Sequence, residues 1–332
     1  MLPQSKKRSM SWLGWLLSAV LIVAAYYMWF ERQRIVDAIQ YYQYTPTSDI
    51  RTITEQIELT DGATFLFYAS QPSLENSTTF NQHCERQESD SPILGCYSAR
   101  MIYLYDITDE RLDGIEEVTA AHELLHAVYE RLSDDEKARL EPLLDEAYTE
   151  LADEELERRM EYYDRTQPGE KYNELHSIIA TEEAAISDEL ETYFAQYFKD
   201  RKKIVELHAK VDGQFKKLSS EADSLAKRIN GLASTINSDT QQYNTGVASL
   251  NAEVAAFNQR ASQPGGFSSQ AEFEAQRAQL NARREQLESL RQSVKTNIDT
   301  YKTLLAKLES INAQTESLNA SIDSVLAEEP EV

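Results

Sequence analysis

The sequence predicts an α+β chain in three parts: an N-terminal transmembrane helix, a small, mostly helical domain with a short β-sheet, and a long α-helical antiparallel coiled-coil hairpin. Three observations predict it. Residues 11–30, SWLGWLLSAVLIVAAYYMWF, carry no charge and are mostly apolar over about the 20 residues that a helix needs to cross a bilayer. Residues 63–69 (ATFLFYA) and 98–105 (SARMIYLY) are short aromatic and apolar runs bounded by turn formers, as strands are. From residue 201 onward apolar residues return at steps of three and four, which is a heptad pattern.

The elements follow in chain order. Lys6, Lys7 and Arg8 precede the apolar run, and Trp12, Trp15, Tyr26, Tyr27 and Trp29 lie near its ends, where aromatic rings favour the membrane interface. Residues 1–31 therefore read as a cytoplasmic tip and a single pass through the cell membrane, with the N-terminus in the cytoplasm and the remainder outside. Arg32 and Arg34 reduce that charge asymmetry. A cleaved signal peptide is the alternative, with Val23-Ala24-Ala25 as a poor small-residue cleavage site. Either way the chain works outside the cytoplasm, where Cys84 and Cys96 could close a disulfide. Residues 32–60 form a juxtamembrane segment, helical over 31–45 and broken at Tyr44-Thr45-Pro46-Thr47.

Residues 61–200 are the folded domain. The polar stretch between its two strands, which holds both cysteines, reads as a loop. Residues 114–132 then place Ile115, Val118, Leu125, Val128 and Leu132 at helical spacing. Ser133 followed by Glu136 makes a capping box that starts a helix reaching about residue 151. Thr166-Gln167-Pro168-Gly169 marks a turn, and the next helix opens near Tyr172. Residues 201–330 are the hairpin, broken at Gln263-Pro264-Gly265-Gly266 into two arms of similar length. An arm of about 60 residues extends roughly 90 Å. Gly213, Gly231 and Gly246 weaken the first arm locally. Arms of separate chains could pair in the same way, so a homodimer or another coiled-coil partner stays open.

The net charge of −23, from 56 acidic and 33 basic residues, argues against nucleic acid as a partner, because phosphates are repelled. The acidic runs at 134–136 and 153–155 have no glycine where a calcium loop would turn, and read as solvated helix faces. Two cysteines are too few for a cysteine zinc site.

Chemistry concentrates in residues 119–128, TAAHELLHAV. On a helix, positions i and i+4 lie about 40° apart, so His122 and His126 project from one face and can reach one metal ion. Glu123 is turned about 100° from His122, placed to reach water beside the ion rather than to share the coordination. Zinc in such a site makes water acidic, and a neighbouring carboxylate can act as the general base. The flanking Ala120, Ala121, Leu124, Leu125 and Ala127 suit a helix packed around a buried ion. A catalytic zinc needs a third protein ligand. A third histidine six residues after the second is excluded, because Leu132 stands there.

Downstream, residues 173–177 read NELHS. With His122, Glu123 and His126, the residues Asn173, Glu174 and Ser177 resemble the thermolysin-like gluzincins, zinc metallopeptidases of the zincin superfamily, here in a minimal membrane-anchored form. The resemblance spans about 100 residues and implies a zincin-like fold for 61–200, His122, His126 and Glu174 as Zn2+ ligands, Glu123 as base, and a peptide or protein as substrate. It also implies that the strand at 100–105 is an edge strand receiving substrate, against the plain reading of a core strand. The chain departs from the family in its longer gap between His126 and Glu174. It departs again in having Ile178 where the family carries an aspartate that steadies a histidine ligand. Glu182 is the rival third ligand, about 80° around the helix from Glu174. His176 lies about 200° from Glu174 and reads as a packed or surface residue. Tyr162, Tyr163, Tyr172 and His176 are candidates to stabilise an oxyanion.

The function expected is a membrane-anchored, zinc-dependent metallopeptidase whose coil presents a partner or substrate. The rival is a non-catalytic envelope scaffold acting through its coiled coil, in which an intact Glu123 would have no use.

Overall fold

The computed structural model describes residues 12–86 and 92–325. Among them are twelve α-helices and a single three-stranded sheet, so helix dominates far beyond an even α+β mixture. The chain divides into two compact units, 1–213 with 318–332, and 214–317.

The expected membrane span is corrected. Among the described residues no helix is long and apolar enough to cross a membrane. Helix α1 (Trp12–Phe30) covers most of the apolar run, but side chains 12–14, 24, 29 and 30 lie outside the description. Lys6, Lys7 and Arg8, on which the orientation rested, also lie outside the described residues.

The segment 32–60 is part of the first unit. Helix α2 (Arg32–Gln43) is followed by α3 (Ser48–Gln56), whose N-cap Thr47 accepts a hydrogen bond from the Ile50 N–H. Ile50, Ile53, Ile57 and Leu59 join the main core. Residues 63–69, expected as a strand, belong to α4 (Asp61–Ala69). Thr60 caps this helix through the Ala63 N–H, and Ala63 and Phe67, one turn apart, are both buried in the core. Capping and a buried one-turn pair outweigh the strand preference of the aromatics, which is largely a matter of packing context.

The sheet has the order β1-β3-β2, where β1 is Ser73–Glu75, β2 is Gly95–Ser98 and β3 is Met101–Tyr105. The run 98–105, read as one strand, is a turn between two. Ala99 and Arg100 sit at φ 50° and 70°, which folds β2 back antiparallel on β3. The strand before the helix of His122 and His126 is thus the central one, and the edge strands are β1 and β2. Between β1 and β2 lies α5 (Ser77–His83), after which Cys84 is joined to Cys96 of β2 by a disulfide.

Helix α6 (Ile115–Arg131) starts at Gly114, whose φ of 106° is left-handed and where a Cβ would stand 2.9 Å from the Leu207 side chain. The expected capping box at Ser133 and Glu136 heads α7 (Asp134–Leu151). Helices α8 (Glu154–Thr166), α9 (Lys171–Glu182) and α10 (Asp188–Phe194) complete the layer around α6. The core between them is closed by Leu124, Leu125, Leu144, Leu175, Ile179 and Phe194.

The second unit is an intramolecular antiparallel hairpin, formed by most of α11 (Arg201–Ala261) and α12 (Gln270–Ile322). Leu225 and Ile229 of one arm pack with Leu304 and Ile311 of the other. Phe257, Phe267 and Phe273 close the tip. Of the expected weak points, Gly213 and Gly231 face open space, while Gly246 makes room for Leu287, which a Cβ would meet at 2.5 Å. The last described residues return to the first unit: Asn81 donates to Ser324 O at 2.8 Å, and Arg86 pairs with Asp323.

Candidate metal centre

Helix α6 presents His122 and His126 one turn apart, their rings 4.7 Å between centroids. Helix α9 runs against it and brings Glu174 between them. Glu174 Oε2 lies 3.8 Å from His122 Nε2, and Oε1 lies 3.8 Å from His126 Nε2. His122, Glu123 and His126 also offer ligand atoms within 4.8 Å of one another. The Glu174 carboxylate is buried, and its Oε2 has no hydrogen-bond partner. An orphaned carboxylate oxygen inside a protein is costly, so this atom is waiting for a cation or a donor. Two imidazole nitrogens and a carboxylate form a donor set that fits a divalent metal ion.

The rival Glu182 is occupied elsewhere. It accepts from Arg159 Nη2 at 2.8 Å and lies 3.7 Å from His208 Nε2. Spacing along α9 left both glutamates open, and the ion pair across to α8 separates them.

The support that sequence reasoning did not find for the histidines comes from the same segment. His126 Nδ1 is 3.0 Å from Asn173 Oδ1 and 3.4 Å from Ser177 Oγ. With Asn173 accepting, Nδ1 carries the proton and Nε2 keeps its lone pair for a metal. The signal was present in the Asn173-Glu174 dipeptide, which puts a carboxylate and an acceptor amide side by side.

Glu123 is held from the sheet. The Tyr97 N–H donates to its carboxylate, and Gly95 lets β2 approach: a Cβ there would lie 2.9 Å from Glu123 Cγ and 2.6 Å from Thr119 Cγ2. No sequence pattern marked this contact, because β2 lay in the stretch read as a loop. Burial, reinforced by the Glu174 charge, raises the Glu123 carboxyl to about 7, against the pull of His126 and the Tyr97 N–H. Burial also raises Glu174, opposed by His126. His122 is pushed well below its usual range by burial and then by the neighbouring His126. For His126 burial acts downward, but Glu174 and Glu123 lift it overall.

Of the oxyanion candidates, Tyr162 and Tyr163 line the cleft beside the histidines. The Tyr163 hydroxyl interacts with Glu174 and with Arg159, and burial holds it well above the usual phenol range. Tyr172 donates to Asp145 at 2.8 Å. His176 is fully buried against Tyr129, Tyr193 and Phe194, with Nε2 3.0 Å from Tyr193 Oη, and plays no part in the cleft.

The comparisons with known proteins add no relative: no family model, curated protein or solved structure matches this chain.

Proposed function

We propose that this cleft is the active site of a zinc-dependent peptide hydrolase of gluzincin type. The observation that carries the reading is the buried Glu174 carboxylate, equidistant at 3.8 Å from two imidazole nitrogens and left with an unpartnered oxygen. His122, His126 and Glu174 would hold the ion, and their two-nitrogen, one-oxygen set is a known catalytic zinc pattern. Zinc, when bound, supplies Lewis-acid polarisation of a carbonyl and lowers the pKa of water.

The remaining work falls to the chain. Asn173 fixes the His126 tautomer. Glu123, buried next to the two histidines, takes a proton from the attacking water and returns it to the leaving amine nitrogen as the C–N bond breaks. Tyr163, a neutral phenol at the cleft wall, holds Glu174. The Cys84–Cys96 disulfide supports work in an oxidising compartment outside the cytoplasm.

The test is metal analysis of the purified protein together with peptide cleavage by wild type and Glu123→Gln. Bound zinc, and cleavage lost with metal retained in the variant, is the expected result. Wild type that binds no metal, or equal cleavage by both proteins, overturns the reading. Glu174→Ala should lose the metal while Glu182→Ala keeps it.

A further inference from the structure

The cleft has two branches that meet at Gly95, His122, Glu123, Tyr162 and Tyr163. The larger, about 1190 Å³, is walled by Glu85, Glu130, Glu141 and Glu170 against one lysine, Lys137. The other, about 800 Å³, carries Leu94, Ile115, Val118 and Val211, and its Glu155, Glu182 and Asp212 are matched by Arg158, Arg159 and His208. We propose that the larger branch receives a lysine or arginine side chain lying on the amino side of the bond to be cut. The proposal rests on the peptide-hydrolase reading and names its substrate class.

Three observations beyond the acidic wall support it. The first is the way Lys137 is held. Its Nζ stands 4.7 Å over the Tyr129 ring, one turn of α7 from Glu141, inside this branch. The chain's own ammonium thus occupies an aromatic and acidic seat of the kind a substrate cation needs. The second is that the buried, unpartnered Glu174 Oε2 lines the larger branch and not the other, which puts the ligand set beside the acidic wall.

The third is the direction of β2. The Tyr105 N–H donates to Leu94 O, so Leu94, Cys96 and Ser98 bond to β3, while the main chain of Gly95 and Tyr97 faces outward. Tyr97 spends its N–H on Glu123, which leaves the Gly95 amide groups and the Tyr97 carbonyl for an added strand. β2 runs from Leu94, in the second branch, to Tyr97 and Ser98, in the acidic one. Antiparallel addition, the more stable mode per residue, then lays the amino side of the substrate over Tyr97 and Ser98.

The test profiles cleavage of a peptide library by the full, zinc-loaded chain, with cut sites read by mass spectrometry. Lysine and arginine should be enriched before the cut. For a lysine-containing peptide, Glu141→Gln should lower kcat/KM about two- to five-fold, and Lys137→Met should raise it by a similar factor. In each variant the ratio of kcat/KM for the lysine peptide to that for the same peptide with glutamine in place of lysine should move by the same factor, and an unmoved ratio overturns the proposal. Circular dichroism of each variant checks that the fold is kept. Cleavage without basic preference, or with basic residues enriched after the cut, overturns this proposal and leaves the hydrolase reading standing. Absence of any cleavage by metal-loaded wild type overturns both.

Discussion

In the first unit Phe67, Phe80, Phe194 and Phe198 are completely enclosed, whereas the best-covered side chains of the hairpin seam, Leu225, Ile229, Leu304 and Ile311, keep 6–9 % exposure. The first unit also buries charge: Glu123, Glu174, Asp37 and Arg201 all lie inside it. The hairpin seam is apolar and its ion pairs, such as Arg283 with Glu253, sit in solvent. Layered packing can shut water away from a carboxylate and shift its proton affinity, while a two-helix seam has no interior wide enough to do so. Buried, shifted carboxylates are therefore confined to the first unit, and the hairpin seam offers only apolar contact.

The largest expected effect tests that division directly. Glu123→Gln should lower kcat by about 10²- to 10⁴-fold with metal content and melting unchanged, while Ile229→Ala in the hairpin leaves kcat untouched. Equal losses would break the division. Core truncation comes next. Phe67→Ala should cost about 3–5 kcal/mol by urea unfolding, because its enclosure leaves a cavity that cannot close.

A pH series sharpens the comparison further. Burial first, then the His126 charge, lowers the His176 imidazole to about 3, far below the roughly 6.5 of an unfolded chain. The unfolded state therefore binds a proton that the folded state refuses, and stability is lost as pH falls from about 6.5 toward 3. In metal-free protein, His176→Phe should flatten this slope by up to about 1.4 kcal/mol per pH unit; parallel slopes for the two proteins would refute the assignment. The smallest effects have opposite signs. Gly114→Ala, at a left-handed φ and against Leu207, should destabilise by about 1–2 kcal/mol. Gly231→Ala, in open space within α11, should stabilise by about 0.5–1 kcal/mol in thermal melts.

What could be read from the sequence follows from how local each cause is. The i,i+4 histidines, the Ser133 capping box and the heptads act within a turn or two of helix, and the elements they announce are present. The span at 11–30 rested on an unbroken apolar run, but among the described residues no helix is long and apolar enough to cross a membrane. Residues 63–69 had strand composition, but the helix is decided by Thr60 and by which side chains meet the core. Glu174 and Glu182 are alike in spacing and type. Only Arg159, from another helix, takes one of them away. Gly95 and Tyr97 were invisible because their role exists only once β2 lies beside α6.

The return of residues 318–325 to the first unit gives the hairpin an unusual standing. Ser321 donates to Asp109 at 2.9 Å and Ser324 to Asn81 at 2.8 Å, so the excursion over 214–317 leaves and re-enters the same body. It is an insertion rather than a tail. A protease nicking the Gly265-Gly266 tip would sever the chain without releasing either fragment, and the two pieces should comigrate on a native gel until denaturant parts them. Mechanical load on the tip would likewise reach the first unit through two strands of chain at once.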